Sequence, residues 1–373
     1  MGKKRGYLRN KKTVSRDPKG SSQGEKNIRW NSTFGEISVV EVVFKDHRQQ
    51  YRPFSHSAGL SARCCSQPLQ RVLTDFGADD AFGKVPLKLK EHYGIELSSS
   101  TIRKVTLDHA KAMLIQQKQP KTPLKIRGNK TIVGEIDGCM VPVVEINEEE
   151  KDQRKGKTLC WKEARLALAH EAGSASPKFA AIFGGSTDEA GKCLLDCAIA
   201  AQFDGSSQFH GVGDGAPWIA TQVADKFEEQ GQYLLDFYHV CEYLAEAASS
   251  CAQINPEGWI NHQKKLLKQN KHLKVLENLR PYIENDEVNQ TPVKACYRYL
   301  NNRLNQLDYQ GALEKGLPIG SGEIESAHRY VIQKRLKLSG AWWKAENINP
   351  MLALRVIRAN EEWNQYWDGL KRA

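Results

Sequence analysis

Thr131-Ile132-Val133-Gly134-Glu135-Ile136-Asp137-Gly138 is the stretch from which the fold is read. A β-branched run closing on an Asp-Gly turn is a strand with a carboxylate at its end. Residues 140–146 continue as a second extended run, and the same signal predicts strands over 162–170, 179–183, 209–212 and 233–237. Helical patterns separate the later strands, over 188–203, from Trp218 to Gln230 behind Pro217, and from Tyr238 onward. Strands first, then strand and helix in alternation, predict an α/β fold.

Further on, Leu317-Pro318-Ile319-Gly320-Ser321-Gly322-Glu323-Ile324-Glu325-Ser326-Ala327-His328 reads as a tight turn opening a helix over 323–338. Ser321 is placed to cap the first turn through its side-chain oxygen, which sets Glu325 one turn inside. The helix dipole also favours an ordinary first-turn Glu, so this stretch alone fits either a plain capped helix or an aimed carboxylate. Residues 241–315 are helical and basic in pattern, with Lys264, Lys265, Lys268, Lys271 and Lys274, and carry no strand signal. They read as an all-α insertion. Residues 350–367 read as one amphipathic helix.

At the other end, residues 1–35 are rich in Lys, Arg, Gly and Ser and read as a flexible basic arm. A short strand is expected over 36–44, irregular chain over 45–66 and a helix over 69–76. Ala81, Val85, Leu87, Leu89 and Tyr93 are spaced for a helix, Gly94 gives a turn, and Ser98-Ser99-Ser100-Thr101 caps a second helix reaching about residue 117. That order is the helix-turn-helix pattern, with Ser99, Ser100, Arg103 and Lys104 facing a DNA groove. An αα-hairpin with a polar face is the alternative. A linker with Pro120 and Pro123 leads to the first core strand.

The chain has 373 residues, a formal charge of +10 and 40% hydrophobic residues. That is enough for a large core and two or three domains. Residues 1–30 hold ten Lys/Arg and two Asp/Glu, so 10 − 2 = +8 of the charge lies there. A polyanion partner or a solvated tail accounts for it. No run approaches the roughly 18 apolar residues of a membrane span, and no apolar segment follows the basic start as in a secretory signal. Nine cysteines without paired spacings suit reduced thiols in a cytosol. Cys193 and Cys197 lie four apart with nothing to complete a zinc set.

Asp137 ends one strand, Asp214 in Gly213-Asp214-Gly215-Ala216-Pro217-Trp218 follows another, and Glu325 lies on a distal helix. Each Asp-Gly alone is a plain turn; the set of three is a carboxylate constellation. Converging carboxylates repel unless a divalent cation lies between them, and hard oxygen donors suit Mg²⁺ or Mn²⁺. Two such ions can serve phosphodiester displacement. The glycines after the aspartates would let a nucleic-acid backbone approach. Gly211-Val212-Gly213-Asp214-Gly215 fails the dinucleotide glycine spacing, and Gly320-Ser321-Gly322 is not a nucleophile elbow.

With these residues in view, the chain resembles the ISKra4-type insertion-sequence transposases of the DDE group. The resemblance covers roughly residues 36–370. Four blocks carry it: Gly134-Glu135-Ile136-Asp137-Gly138-Cys139-Met140-Val141-Pro142, Gly213-Asp214-Gly215-Ala216-Pro217-Trp218-Ile219, Leu235-Asp236-Phe237-Tyr238-His239, and Ile319 to Gly322 through Ile324-Glu325-Ser326. It implies an RNase H-like mixed-sheet catalytic core interrupted by the all-α insertion, behind an N-terminal helix-turn-helix region. It also implies Asp137, Asp214 and Glu325 as catalytic, metal-binding acids, with Glu323 the competitor for the third place. Asp236 and His239 match an Asp-x-x-His element that would touch the scissile phosphate or orient a metal ligand; a capping Asp beside a packed His is the alternative. The chain departs from the family in the Cys-rich segment expected before the helix-turn-helix, where it holds only Cys64-Cys65.

Lys334, Arg335, Lys337, Trp342 and Trp343 are expected to bind DNA by phosphate contact and base stacking, with a surface-packing role as the alternative, while Trp218 either stacks on a base or packs under the sheet. The units are then an arm over 1–35, a DNA-binding region over 36–125, core over 126–240, insertion over 241–315 and core completion over 316–373. The expected activity is transposition: binding element ends and cutting and joining strands with two Mg²⁺ or Mn²⁺ ions. The expected setting is a homodimer on double-stranded transposon and target DNA, in a bacterial cytoplasm at the nucleoid and away from membranes. A DNA-binding regulator or inactive relic, or a nuclease of the same fold, are the alternatives.

Overall fold

A computed structural model describes residues 7–8, 21–46, 49–57, 65–117, 128–147, 149–150, 152, 156–284 and 291–370. Most of the expected basic arm, the linker prolines and Cys64 lie outside them. The chain divides into two compact units, residues 1–112 with 367–373, and residues 113–366.

The first unit opens on a small sheet. β1 (Tyr7–Leu8) pairs parallel with β3 (Gly35–Asp46), β2 (Ser21–Ser32) pairs antiparallel with β3, and β4 (Gln49–Tyr51) pairs with its far end. Residues 21–32 therefore correct the flexible-arm reading. Their polar composition hides a strand whose Trp30 lies opposite Ile37 and edge-on to Phe54. α1 (Pro53–Ser57) follows, then α2 (Gln67–Asp79), whose first turn Ser66 caps through Leu69 N. α3 (Val85–Tyr93) stops at Gly94, which takes the left-handed φ of 64° that glycine tolerates. α4 (Ser99–Gln117) comes next. Leu69, Leu73, Val85, Leu89, Ile95 and Ile102 form the core of these helices. The helix, turn and capped helix are thus where the sequence places them, with Arg103 and Lys104 exposed.

The second unit holds a mixed five-stranded sheet. Its strands are β5 (Thr131–Ile146), β6 (Lys157–Glu171), β7 (Lys178–Phe183), β8 (Gln208–Gly213) and β9 (Gly231–Leu235), in the order β7-β6-β5-β8-β9. β5, β6 and β7 are antiparallel neighbours, whereas β8 and β9 run parallel to β5. β5 runs unbroken through Asp137-Gly138, which the sequence reads as a turn. Antiparallel pairing with β6 continues on both sides, from Ile132↔Glu171 to Ile146↔Lys157, and keeps the pair extended. One face of the sheet, with Ile132 and Ile136, packs on α5 (Thr187–Ala200) and α6 (Pro217–Phe227).

After β9, α7 (Phe237–Cys251), α8 (Pro256–Lys268), α9 (His272–Glu284), α10 (Pro292–Asn301) and α11 (Tyr309–Glu314) form an all-helical layer with its own core. The chain then returns as α12 (Gly322–Ala327), a π-helical turn (His328–Gln333) and α13 (Lys334–Leu336). The expected single terminal helix is two, α14 (Ile348–Ala359) and α15 (Trp363–Leu370), broken where Glu361 adopts a positive φ of 62°. No described helix is long and apolar enough to cross a membrane.

Candidate active site

Side chains alternate across a strand, so Val133, Glu135 and Asp137 share the face of β5 opposite to Ile132 and Ile136. β8 matches this register, with Val133 beside His210 and Glu135 beside Val212. The parallel pairing ends there: β8 stops at Gly213 with Asp214 directly after it, while β5 runs on through Asp137. Each expected aspartate thus lies two residues beyond the last β5–β8 pair, Asp137 within β5 and Asp214 just after β8.

α12 lies over that face. Its backbone is tied to β5 by Glu135, whose Oε2 accepts from Ile324 N at 2.8 Å. Glu323 reaches the other way, its Oε2 lying 3.1 Å from Nε2 of the buried His170 on β6. Glu325 is exposed and makes no hydrogen bond or ion pair among the described residues. Of the two competing acids, Glu323 is therefore engaged and Glu325 is available.

The sequence reading passed over Glu135, His170 and His328. Glu135 is 1% exposed and its Oε1 has no hydrogen-bond partner. Burial, aided by the charges of Glu323, Asp236 and Glu325 and opposed by the Ile324 N–H, pushes its carboxyl up to about 8. It therefore holds its proton at neutral pH. His328 Nε2 lies 3.4 Å from Asp137 Oδ2. Burial works against the imidazolium, but Asp137 and Cys139 outweigh it and raise the ring to about 9. At neutral pH a buried cation thus stands beside the first aspartate. A Glu two residues before the Asp on the same strand face was the available signal, and His328 closes the very stretch that carries Glu325.

Asp214 is held from behind. Its Oδ1 accepts from Ala216 N at 2.9 Å, Tyr299 Oη donates to its carbonyl at 2.6 Å, and Arg303 Nε donates to Gly215 O at 2.9 Å. Tyr299 lies on α10 and Arg303 just beyond it, so the insertion grips the Asp214 loop. A Cβ on Gly215 would meet Leu235, Arg303 and Tyr299, and one on Gly138 would meet Glu163. Both glycines accommodate the protein's own side chains, which corrects the expectation that they open the backbone to nucleic acid.

Asp236 is a capping residue. Its Oδ1 accepts from Tyr238 N and His239 N at the start of α7, and its Oδ2 accepts from Ser321 N and Oγ. All its acceptor capacity faces the protein. Ser321 accordingly donates to Asp236 and makes no side-chain cap, contrary to its expected role. His239 stands 3.1 Å from Glu242 and edge-on to Tyr243 and Tyr299.

The expected DNA contacts divide. Trp342 is exposed, and Lys334 is exposed with Lys337 half-buried. Arg335 and Trp343 are buried, and their stacking at 4.7 Å is a packing contact. Trp343 also donates from Nε1 to Leu336 O, and its backbone pairs with β5 at Pro142 and Val144. Neither presents itself to DNA. Trp218 packs beneath the Arg165 guanidinium at 5.1 Å, which selects packing for it.

Asp137, Asp214 and Glu325 offer the hard oxygen donors that Mg²⁺ or Mn²⁺ takes, and Glu135 Oε1 adds a buried oxygen without a partner. The donor chemistry fits such ions. Among the described residues, no three His, Cys, Asp or Glu side chains are already gathered at metal-binding separation.

Residues 202–366 match an uncharacterised protein family, UPF0236. That span includes Asp214, Asp236, Glu323, Glu325 and His328 and stops short of Glu135 and Asp137. No curated protein matches the chain. Two solved structures align with it: a crystal structure of NurA with manganese, at 13% identity over 74% of this chain and a TM-score of 0.12, and one of NurA, at 12% identity over 75% and a TM-score of 0.13. The alignments cover 65% and 64% of those chains.

Proposed function

We propose that the protein is a DDE-type transposase that binds the ends of an insertion sequence and cuts and joins DNA strands. One observation supports the reading: Asp137 and Asp214 each follow by two residues the last paired positions of the neighbouring strands β5 and β8, Glu135 and Val212, and Glu135 holds the helix of Glu325 through Ile324 N. The sheet order, with two parallel strands added beside an antiparallel hairpin and its edge strand, supports an RNase H-like core. The helix-turn-helix pattern of α3 and α4, with Arg103 and Lys104 exposed, supports a DNA-binding region in the first unit.

In this reading Asp137, Asp214 and Glu325 would hold two Mg²⁺ or Mn²⁺ ions, which when bound would activate the attacking oxygen and stabilise the leaving one. Water attacks the scissile phosphorus, the P–O3′ bond breaks, and the freed 3′-oxygen takes up a proton. That 3′-hydroxyl then attacks a phosphorus of the target strand, the target's P–O3′ bond breaks, and the released target 3′-oxygen takes up a proton in place of the one the attacking hydroxyl loses. Glu135 fixes the distance of α12 from β5 through Ile324, and Asp236 fixes the turn before it through Ser321. Tyr299 and Arg303 keep the Asp214 loop from drifting.

The test is incubation of the protein with labelled element ends and Mg²⁺, beside Asp137→Asn, Asp214→Asn, Glu325→Gln and Glu323→Gln. Cleavage and joining should fall at least a thousandfold in the first three, while DNA binding persists and Glu323→Gln keeps measurable activity. Full cleavage by Asp137→Asn would sink the assignment. Cutting without joined products would favour a nuclease of the same fold. A second reading, a DNA-binding regulator or inactive relic, draws on the His328 imidazolium already standing beside Asp137; binding with no metal-dependent cutting by the intact chain would favour it.

A further inference from the structure

β7 is the edge strand of the second unit's sheet, and its outer backbone groups are bound by side chains. Asn360 of the turn after α14 accepts from Phe179 N through Oδ1 at 2.8 Å and donates from Nδ2 to Phe179 O at 3.0 Å. Asn349 does the same for Phe183, at 2.8 and 3.2 Å. A carboxamide has the donor and acceptor of a peptide group, so each Asn replaces one residue of a missing neighbour strand. Outward-facing groups recur every second residue along a strand edge, so Ala181, midway between the clamps, also points its N–H and C=O away from β6. No side chain takes them.

That single open rung lies in a cleft of about 680 Å³, whose walls are α5 on one sheet face and α14 on the other. Its volume is that of a small-molecule site. Glu189, Asp196 and Glu362 are among the lining residues, and no Lys or Arg is. Asn349 and Asn360 block the edge on both sides, so the opening is one residue long and excludes an added peptide strand. The acidic lining disfavours a phosphate.

We propose that this cleft binds a neutral or cationic planar heterocycle whose edge carries an N–H donor next to an acceptor, as a free nucleobase or a lactam does. The donor meets the Ala181 carbonyl and the acceptor meets the Ala181 N–H. This site is separate from the carboxylates of the DNA-cutting reading and stands or falls without it.

Ligand-observed NMR on the full chain tests it, with adenine and 2-pyridone as probes and AMP and N-methyl-2-pyridone as controls. Adenine and 2-pyridone should bind in the millimolar range or tighter. N-methylation, which removes the donor, and the phosphate of AMP should each weaken binding at least tenfold. Ala181→Pro removes the N–H at a position where an edge strand tolerates proline and should abolish binding with the melting temperature kept. If that variant unfolds, Cys193→Phe, which narrows the cleft from α5, should abolish binding instead. No binding of either probe, equal binding of N-methyl-2-pyridone or AMP, or undiminished binding by a folded variant would overturn the proposal.

Discussion

Replacing Glu135 by Gln should stabilise the protein at neutral pH and leave it unchanged in acid. Glu135 has its carboxyl raised from an ordinary 4.5 to about 8, first by burial and then by neighbouring acids, against the Ile324 hydrogen bond. The folded chain therefore binds this proton more tightly than the unfolded chain. Its contribution to stability is complete below pH 4.5 and is lost as pH rises through 8. Each pH step between is worth about 1.4 kcal/mol, so about 3 kcal/mol is lost by pH 7 and about 5 kcal/mol by pH 9. Gln has the same shape, keeps an oxygen for Ile324 N and never ionises. Urea unfolding of both chains in chelator at pH 5, 7 and 9 reads the difference. The gap should grow from under 1 to about 3 and then about 5 kcal/mol, with the melting point at pH 7 higher by about 6–12 °C. The raised imidazole of His328 tilts stability the same way, but it is common to both chains and cancels in the comparison. A gap that is constant with pH, or a variant less stable at pH 7, would refute the reasoning.

Two other substitutions test the supports of the site. Asp236→Ala strands four donors, Tyr238 N, His239 N, Ser321 N and Ser321 Oγ, and should cost about 3–5 kcal/mol in urea unfolding; a loss below 1 kcal/mol would deny Asp236 its clamping role. Arg103→Ala with Lys104→Ala removes two exposed cations, so the melting temperature should hold while the slope of log affinity for DNA against log salt falls by about 2. An unchanged slope would take α4 out of the DNA interface.

What could be read from the sequence was what neighbouring residues determine. The turn at Gly94, Pro217 opening α6 and the β-branched strands of the sheet all follow from contacts within a few residues. Reading failed where a partner distant in sequence decides. Residues 21–32 look like a polar arm until β3 lies beside them, and Asp137-Gly138 looks like a turn until β6 holds it extended. Ser321 has the chemistry of a cap, yet a carboxylate 85 residues away takes its hydroxyl. Arg335 and Trp343 suggested a DNA surface from charge and aromaticity, properties that serve equally well when the two stack inside the protein.

The same distinction explains why the aspartates were visible while the residues that place them were not. Asp137 and Asp214 stand out because each ends a hydrophobic run beside glycine. Glu135 sits within such a run, where an isolated carboxyl would be costly, and only the Ile324 N–H of a helix 189 residues away gives it a place. The insertion acts likewise: its Lys-rich stretch reads only as a basic all-α insertion, but Tyr299 and Arg303 turn it into the brace of the Asp214 loop. Because Glu135 and Asp236 secure the helix of Glu325 while Tyr299 and Arg303 secure the Asp214 loop, through separate long-range contacts, loosening one support should displace its own acid and leave the other in place. Graded losses of cutting from Glu135→Leu, Tyr299→Phe and Asp236→Ala, with DNA binding retained, are what such independent supports require.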